Sequence, residues 1–547
     1  MRIRPLRRPP ARLVPILAAT ALSAGCINTF WRTEARAIAR PGAADTSYAD
    51  VRTPVKAHLV DGSTVMFRSG ARITHERIIG SGETYALLDS VPRGIRAEVP
   101  LDSVVGLETF EGKVLAGQST IVSLAATAVG AAATIALFKA IFGSCPTVYA
   151  ADSGGTPALQ AEGFSYAIAP LLEHRDLDPL RVRPDADGMV RLELRNEALE
   201  THFVNHVELV ALRHAAGSRA VPDQRGWPAA VGDVRALDVA TDRAGRDVRD
   251  VLAAADGRLF ASAPSTVGAA SAGDLDDWID IEARDLPPGD SVAVVLRLRN
   301  SLLNTVLLYE GMLGGRDAPQ WLSEGLQHIG NTLDLARWYV RTMGMHASVE
   351  GVPARAGGDG AAHARLGDVG PLAFRDVAIV LPRAAPNASR VRVRLRFVAD
   401  NWRIDHAAVA ATVARPAPVS VALSRVVVPT PARGGGPTVD SAALGALAAA
   451  DGRYLETQPG QRMVLEFATP ATPAADLSSE SPMTTTTYLL AWQGWYREWI
   501  RGSWLAEPTR TTAFVPGDSA VATALARWRT RQDELERAFY ASRVPVR

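Results

Sequence analysis

The chain has 547 residues, of which 47% are hydrophobic and 21% charged, so that three or four domains with sizeable cores fit within it. A formal net charge of +1 excludes bulk electrostatic attraction to nucleic acid, and we expect no nucleic-acid partner. The chain has two cysteines, at positions 26 and 145, and the first is assigned to another role below, which excludes a disulfide framework.

The first 25 residues have the pattern of an export signal. Arginines cluster before residue 13, and the apolar run that follows, residues 13–24, is too short to span a bilayer. Residues 22–26, LSAGC, resemble a bacterial lipobox. The resemblance implies cleavage before Cys26 and its acylation, with chains such as palmitate, which give stable membrane anchoring. An ordinary secretory signal with an incidental cysteine is the alternative.

Residues 26–47 are expected to form a tether, followed by a small β-barrel-like domain over residues 48–113. In this domain Val55, Ala57 and Leu59 alternate with polar positions, and the pair Asp61–Gly62 indicates a hairpin turn. Several further short strands of this kind predict a closed or nearly closed barrel.

Ile27 directly follows Cys26. By analogy with the known sorting of lipoproteins, an isoleucine at this position favours the outer membrane, with the protein facing the periplasm.

Residues 114–142 are predicted to form a hydrophobic helix. The first 25 of them carry no charge and are long enough to cross a membrane, yet they are rich in small residues. A single crossing conflicts with the lipobox, because it would place the rest of the chain in the cytoplasm. A true span, a helix lying on the membrane or on another protomer, and a helix buried in the protein remain open.

The remainder again has β character. Residues 143–415 form a predicted sandwich-like region with loop insertions, in which Val391, Val393, Leu395 and Phe397 alternate with arginines. Residues 416–515 form a last β segment. Residues 516–547 are predicted to form an amphipathic helix with Trp528 on its apolar stripe.

Several short motifs resemble a family of uncharacterised bacterial envelope lipoproteins. They are residues 144–149 (SCPTVY), 173–176 (EHRD), 194–197 (LRNE), 299–301 (RNS), 401–405 (NWRID) and 494–496 (GWY). The likeness covers about residues 48–504. Residues 150–155 depart from the glycine-turn strand of usual members. The family has no activity to carry over, so the resemblance implies a location in the cell envelope and a β-rich architecture.

Motifs for catalysis are weak. Residues 173–179 (EHRDLDP) resemble a kinase catalytic loop, but Arg181 stands where that loop has asparagine, so we expect Arg175 and Asp176 to make local hydrogen bonds instead. His202 and His206 have a metal-binding spacing only on a helix, and the segment has strand character. No nucleophile elbow is present, and Cys145 has no neighbouring charge to activate it.

Two groups of residues are candidates for binding. Carboxylate oxygens of the acidic run Asp274, Asp276, Asp277 and Asp280 could hold Ca²⁺, the one cofactor considered, although a solvated loop is the simpler interpretation. The second group consists of four aromatic residues near the end of the last predicted β segment. Their rings could stack on a glycan or anchor a partner protein, but aromatic residues at helical spacing are more often part of the core. The aromatic residues are Trp492, Trp495, Tyr496 and Trp499.

The sequence therefore predicts a mainly β protein, with a small barrel followed by sandwich-like domains, a hydrophobic helix and a C-terminal amphipathic helix. The predicted function is a non-catalytic lipoprotein of the cell envelope that binds or scaffolds at the membrane surface, with a glycan or an envelope protein as partner. The alternative is an envelope hydrolase whose site is assembled from distant carboxylates. Two facing carboxylates with raised pKa values in a pocket would favour that alternative.

Overall fold

The computed structural model describes residues 29–34, 49–114, 146–306, 338–353, 363–428, 438–470, 484–498 and 517–546, with short gaps inside several of these ranges. The described chain is mainly β, as the sequence predicts. It divides into two compact units, Met1–Ala136 and Leu137–Arg547.

The first unit is one curled antiparallel sheet with the order β1-β8-β3-β4-β6-β5-β2, and β7 pairs with β6. Its core is formed by alternating residues such as Val55, Val65 and Phe67, which confirms the predicted strand pattern. Thr29–Glu34, predicted as tether, forms a strand that pairs with β8. The strands are β1 (Thr29–Glu34), β2 (Ala49–Val51), β3 (Val55–Leu59), β4 (Thr64–Phe67), β5 (Ala71–Ile73), β6 (Arg77–Tyr85), β7 (Gly94–Pro100) and β8 (Val104–Val114).

The described residues of the second unit form three sheets. A ten-stranded sheet has the order β10-β9-β12-β27-β24-β13-β28-β11, with β25 beside β24 and β26 beside β13. Its strands are β9 (Thr147–Ala151), β10 (Pro157–Glu162), β11 (His174–Pro179), β12 (Met189–Arg195), β13 (Glu200–Ala215), β24 (Val419–Val428), β25 (Thr438–Val439), β26 (Leu455–Thr457), β27 (Arg462–Ala468) and β28 (Thr484–Glu498).

Two five-stranded sheets, ordered β14-β15-β23-β18-β21 and β16-β17-β22-β19-β20, lie between β13 and β24 in the sequence. Their strands are β14 (Arg219–Pro222), β15 (Pro228–Arg235), β16 (Val239–Asp242), β17 (Asp276–Ala283), β18 (Ser291–Asn300), β19 (Met345–Val349), β20 (Ala364–Leu366), β21 (Arg375–Pro382), β22 (Val391–Val398) and β23 (Trp402–Ala414).

The two five-stranded sheets form the predicted sandwich. The apolar residues of β22, including Val393 and Leu395, are buried in one core with residues of β18 and β23 such as Val294 and Val409. Alternation in β22 therefore places valine, leucine and phenylalanine inside and arginine outside. The last β segment does not form its own sheet, because β24 pairs with β13 and β27 pairs with β12.

The described helices are α1 (Arg249–Leu252), α2 (Pro264–Ser271), α3 (Leu303–Val306), α4 (Ser441–Leu447) and α5 (Asp518–Ala541), besides 3-10 turns at Leu101–Ser103 and Pro170–Leu172. The amphipathic helix α5 agrees with the prediction, since Val521, Leu525 and Trp528 are buried in the core of the ten-stranded sheet. The hydrophobic helix predicted over residues 114–142 lies, beyond Val114, outside the described residues. Where helices are described, none combines the length and apolar character needed to cross a membrane.

Candidate functional site

Of the predicted binding aromatics, Trp492, Trp495 and Tyr496 lie on strand β28, within the segment predicted to be β. Trp492 and Tyr496 have no exposed surface and Trp495 is 6% exposed, so these three residues belong to the core. Trp495 stacks on Phe203 with ring centroids 4.0 Å apart. They therefore offer no free face for a sugar, which agrees with the core interpretation. Trp499 lies outside the described residues.

The acidic run does not converge on a point where a cation could bind. Asp274 pairs with Arg243, while Asp276 and Asp280 lie along β17 and pair with arginines of β22. Asp277 is buried and accepts a hydrogen bond from the hydroxyl of Ser262. Within the described ranges no group of three histidine, cysteine, aspartate or glutamate residues is arranged to hold a metal ion.

The arginines that alternate in β22 form an ion-pair ladder with β17. Arg392 pairs with Glu282 at 2.7 Å, Arg394 with Asp280 at 2.7 Å, and Arg396 with Asp276 at 3.2 Å. We call these six residues the arginine ladder. The guanidinium of Arg394 also lies 4.8 Å from the ring centroid of Trp278. The three arginines lie on the solvent-facing side of the sheet, each 44–49% exposed, and cross-strand pairs hold them there, whereas Glu282 is buried.

The two histidines lie on β13, and the strand keeps them apart. His202 is fully buried, with Nε2 3.3 Å from Glu200 Oε2 and Nδ1 3.3 Å from Thr457 Oγ1. A bulge between Val204 and His206 shifts the pairing with β28. His202 therefore has a position in the protein core. Cys26 and Cys145 lie outside the described residues.

The segment EHRDLDP contains strand β11 and takes part in a buried polar network. Along β11, Asp176 and Asp178 point to one side, whereas Leu177 points to an apolar cluster on the other. Glu173, just before the strand, accepts hydrogen bonds from Asn205 at 2.6 Å and from Gln493 at 2.9 Å. Of the two residues expected to bond locally, Arg175 donates to Glu208 at 3.3 Å, and Asp176 accepts from the distant Phe164 N–H at 2.8 Å while it also lies 3.3 Å from its neighbour His174.

Arg375, the first residue of β21, lies between the two aspartates. Its Nε atom is 2.7 Å from Asp178 Oδ1 and its Nη1 atom is 3.4 Å from Asp176 Oδ1. Only 12% of its side chain is exposed, against 7% for Asp176 and 4% for Asp178. Burial alone would lower the pKa of Arg375, but the surrounding carboxylates outweigh burial and raise it. The guanidinium therefore stays charged and offsets part of the negative charge of the two carboxylates.

Asp178 also accepts a hydrogen bond of 2.8 Å from the indole N–H of Trp492. Burial raises the pKa of Asp178 to about 6, although Arg375 acts in the opposite direction. Trp492 in turn lies so close to Gly163 that a Cβ atom there would come within 2.3 Å of the indole. One core tryptophan thus both orients the carboxylate and excludes water from it.

Glu162, the last residue of β10, is a further buried carboxylate with 1% exposure. Its Oε2 atom accepts hydrogen bonds from the backbone N–H groups of Leu372 at 2.7 Å and Ala373 at 3.0 Å. Burial raises its pKa to about 7, so that burial outweighs the two backbone donors. Gly370, which has a φ of +93°, lets the backbone pass beside this carboxylate.

Asp368 completes what we call the Arg375 cluster, which consists of Glu162, Asp176, Asp178, Asp368 and Arg375. Asp368 accepts hydrogen bonds from Asn304, from the Tyr339 hydroxyl at 3.0 Å and from the Gly370 N–H at 2.8 Å. Burial raises its pKa. Within the cluster, Glu162, Asp178 and Asp368 thus all have raised pKa values.

A cavity of about 40 Å³ adjoins the cluster. Asp176, Asp368 and Arg375 line it, together with Asp223 and Gln224 from the turn between β14 and β15. That volume accommodates a few water molecules, whereas small-molecule sites usually measure roughly 300–1,000 Å³. Neither Glu162 nor Asp178 lines the cavity. The cluster is therefore suited to holding β10, β11 and β21 together and cannot enclose a sugar ring.

Comparison with protein-family models and with curated protein sequences finds no match to the chain.

Glu162, Asp368 and Arg375 carry no local signal in the sequence, because each stands alone in an ordinary segment. Asp176 belongs to the motif EHRDLDP, where the sequence predicts only local hydrogen bonds. The signal that could have found the site is the alternation of aspartate with leucine inside a strand, since a carboxylate at such a position needs a buried partner.

Proposed function

We propose that the protein is a non-catalytic lipoprotein of the cell envelope, anchored through acylated Cys26 in the outer membrane and facing the periplasm. Its β-rich body serves as a binding or scaffold module at the membrane surface. The observation that supports this proposal is the closure of the Arg375 cluster, in which Arg375 pairs with Asp176 and Asp178 beside a cavity of about 40 Å³. A hydrolase needs an acid and a base that reach a substrate.

An envelope protein is the partner that we favour over a glycan. Glycan binding needs exposed aromatic faces, and the three described residues of the aromatic group are buried. A large aromatic residue that is exposed is Trp227, with 64% of its surface accessible. Trp227 ends a turn between β14 and β15. The Asp223 carboxylate fixes this turn, because it accepts hydrogen bonds from the backbone N–H groups of Arg225 and Trp227. An exposed tryptophan on a fixed turn suits contact with a protein.

The lipid anchor is tested by metabolic labelling of the full chain with an alkyne analogue of palmitate in a Gram-negative host. We expect label on the wild-type protein and on Cys145→Ser, which is the matched control, and none on Cys26→Ser. The Cys26→Ser protein should also leave the membrane fraction. Equal labelling of all three proteins, or of none, would overturn the anchor.

The hydrolase alternative is favoured by the raised pKa values of Glu162 and Asp178. It is tested by incubating the purified chain with peptidoglycan and measuring released reducing ends or amines. We expect no release. A release that disappears in Asp178→Asn but persists in Asp276→Asn, a carboxylate of the arginine ladder, would establish catalysis and overturn the proposal, provided that both variants keep the wild-type circular dichroism spectrum.

A further inference from the structure

Strand β7 of the first unit is an exposed edge. Its residues from Gly94 to Glu98 are all exposed, and Ile95 has 74% of its surface accessible to solvent. Only Val99, near the end of the strand, contributes to the core. Among the strands that the structure describes, β7 pairs with β6 alone, so its other side is available for a further strand.

The direction of the backbone groups on β7 follows from its two flanking residues. Arg93 donates its N–H to Thr84 and Leu101 donates its N–H to Glu76, both on the β6 side. Backbone groups alternate in direction along a strand, so odd-numbered residues face β6. The N–H and C=O groups of Arg96 and Glu98 then point outward, toward a strand that would add to this edge.

The side chains of β7 complement a second copy of the same strand. If two copies run antiparallel with Ala97 opposite Ala97, Arg96 of each copy lies opposite Glu98 of the other. Both residues point their backbone groups outward, so that each of these two pairs exchanges two backbone hydrogen bonds. The same register places exposed Ile95 opposite Val99 on the other face.

Charge selects this register over its neighbours. A pairing centred on Arg96 would place two arginines directly opposite each other, and a pairing centred on Glu98 would do the same with two glutamates. Like charges directly opposite each other are destabilising in an antiparallel pair. Glu98 already pairs with Arg77 of its own copy at 3.0 Å, and both side chains are about half exposed. A carboxylate has two oxygens, so Glu98 can accept hydrogen bonds from Arg77 and from Arg96 of the other copy at once.

We propose that two copies of the chain associate through antiparallel pairing of β7, with Ala97 on the two-fold axis. The interface is a single strand of seven residues, which is smaller than the area that stable dimers bury, so the association is weak and depends on concentration. This inference does not depend on the proposed lipid anchor, and its test uses protein in which Cys26 is replaced.

The register is tested by disulfide formation in the full chain, purified in detergent with Cys26→Ser and Cys145→Ser so that an introduced cysteine is the sole thiol. Ala97→Cys brings two thiols together, because residues opposite each other in a non-hydrogen-bonded pair have Cα atoms about 4.5 Å apart, within disulfide range. Ile95→Cys is the control. In this register its two copies lie about 14 Å apart along the strands.

We expect mild oxidation to give a disulfide-linked dimer with Ala97→Cys, at least tenfold more than with Ile95→Cys, although Ile95 is highly exposed. Random collisions would link Ile95→Cys at least as well. Equal yields from the two variants, or no dimer from Ala97→Cys at protein concentrations up to about 100 μM, would overturn the proposal.

The role of the opposite charges of Arg96 and Glu98 is tested by measuring the dissociation constant of the dimer, using sedimentation equilibrium of the full chain in detergent. Arg96→Glu and Glu98→Arg should each weaken dimerisation about tenfold, because each places like charges opposite each other twice in the dimer. The double variant Arg96→Glu/Glu98→Arg restores opposite charges and should recover most of the wild-type dissociation constant. Single variants that dimerise like wild type, or a double variant as weak as the single ones, would contradict the proposed pairing.

Discussion

Two sets of arginine–carboxylate pairs in the second unit contain equally short contacts and differ in burial. In the Arg375 cluster, Nε of Arg375 lies 2.7 Å from Asp178, and the two side chains are 12% and 4% exposed. In the arginine ladder, Arg394 lies 2.7 Å from Asp280, with exposures of 49% and 34%. Distance alone would therefore rank the two pairs as equal.

The difference in burial gives the Arg375–Asp178 pair and the Arg394–Asp280 pair different electrostatic properties. Burial raises the pKa of Asp178 to about 6 in spite of the adjacent guanidinium, which means that the charged form of this carboxylate is costly to keep inside the protein. The pKa of Arg394 is raised chiefly by its hydrogen bonds to Asp280, and water screens that pair. Removing one partner should therefore leave an uncompensated buried charge in the first case and a solvated charge in the second.

The largest effect is expected for Arg375→Met. This substitution leaves Asp176 and Asp178 buried without their cation, and breaking a buried ion pair costs roughly 3–5 kcal/mol. Chemical denaturation followed by tryptophan fluorescence measures the change in the free energy of unfolding. A loss below about 1 kcal/mol would show that the cluster behaves like the ladder.

A matched variant separates lost charge from lost packing. Asp176→Asn and Asp178→Asn, introduced together with Arg375→Met, remove the negative charges that Arg375→Met leaves behind. We expect the triple variant to be more stable than Arg375→Met alone, because neutral amides are less costly to bury than carboxylates. If the triple variant is less stable, the arginine acts mainly by packing.

The next largest effect is a change in the free energy of unfolding with pH, which the titration of Glu162 causes. Glu162 has an ordinary pKa of 4.5 and a pKa of about 7 in the folded protein. Between these values the folded state holds a proton that the unfolded state has released, so the free energy of unfolding falls as the pH rises. The stabilisation is complete below pH 4.5 and is lost as the pH passes 7. From pH 5 to 8 the loss amounts to about 2–3 kcal/mol.

Glu162→Gln removes this titration while it keeps an oxygen for the N–H groups of Leu372 and Ala373. The free energy of unfolding of this variant should therefore vary less between pH 5 and 8 than that of the wild type. The slope that remains should reflect Asp178, whose pKa of about 6 acts in the same direction. A slope identical to that of wild type would mean that Glu162 is ionised in the folded protein at pH 5.

A smaller loss is expected for Gly370→Ala, which tests how closely the backbone encloses the cluster. The residue has a φ of +93°, and a Cβ atom would lie 2.6 Å from Glu162 Oε2. Strained backbone and the displaced carboxylate should together cost about 2 kcal/mol. Gly445→Ala is the control, because a Cβ atom at that residue of α4 meets no atom within 4 Å. Equal stability of the two variants would show that the enclosure is loose.

The strands and the faces that they bury could largely be predicted from the sequence. Strict alternation in β22 predicts which side chains are inside, and the apolar stripe around Trp528 predicts the terminal helix. Trp492, Trp495 and Tyr496 have helical spacing, but they lie on a strand of the predicted last β segment, which runs antiparallel to β13. Long-range pairing decided between helix and strand there, and local composition carries little information about it.

The candidate site could not be predicted because its members come from separate strands. Arg375 follows Asp176 by 199 positions and Glu162 by 213, and each residue alone looks like an ordinary surface charge. Nothing local shows that β11 and β21 meet. The arginine ladder illustrates the converse, because its three arginines alternate with apolar residues and are exposed as that pattern predicts. Asp276 and Asp280 of the acidic run, considered for calcium, pair with Arg396 and Arg394 instead.

The smallest loss of stability is expected for a substitution in the arginine ladder. Arg394→Met removes the pair with Asp280 and the contact with the Trp278 ring, but Asp280 stays partly solvated. An exposed pair with a cation–π contact contributes at most about 1 kcal/mol, and salt screens it. Raising NaCl from 0.05 to 1 M should therefore narrow the stability difference between Arg394→Met and the wild type, whereas it should leave the loss in Arg375→Met nearly unchanged. A salt-independent difference for Arg394→Met would mean that the ladder is stabilised by packing on Trp278, because contact with an aromatic ring does not depend on ionic strength in the way that an exposed ion pair does.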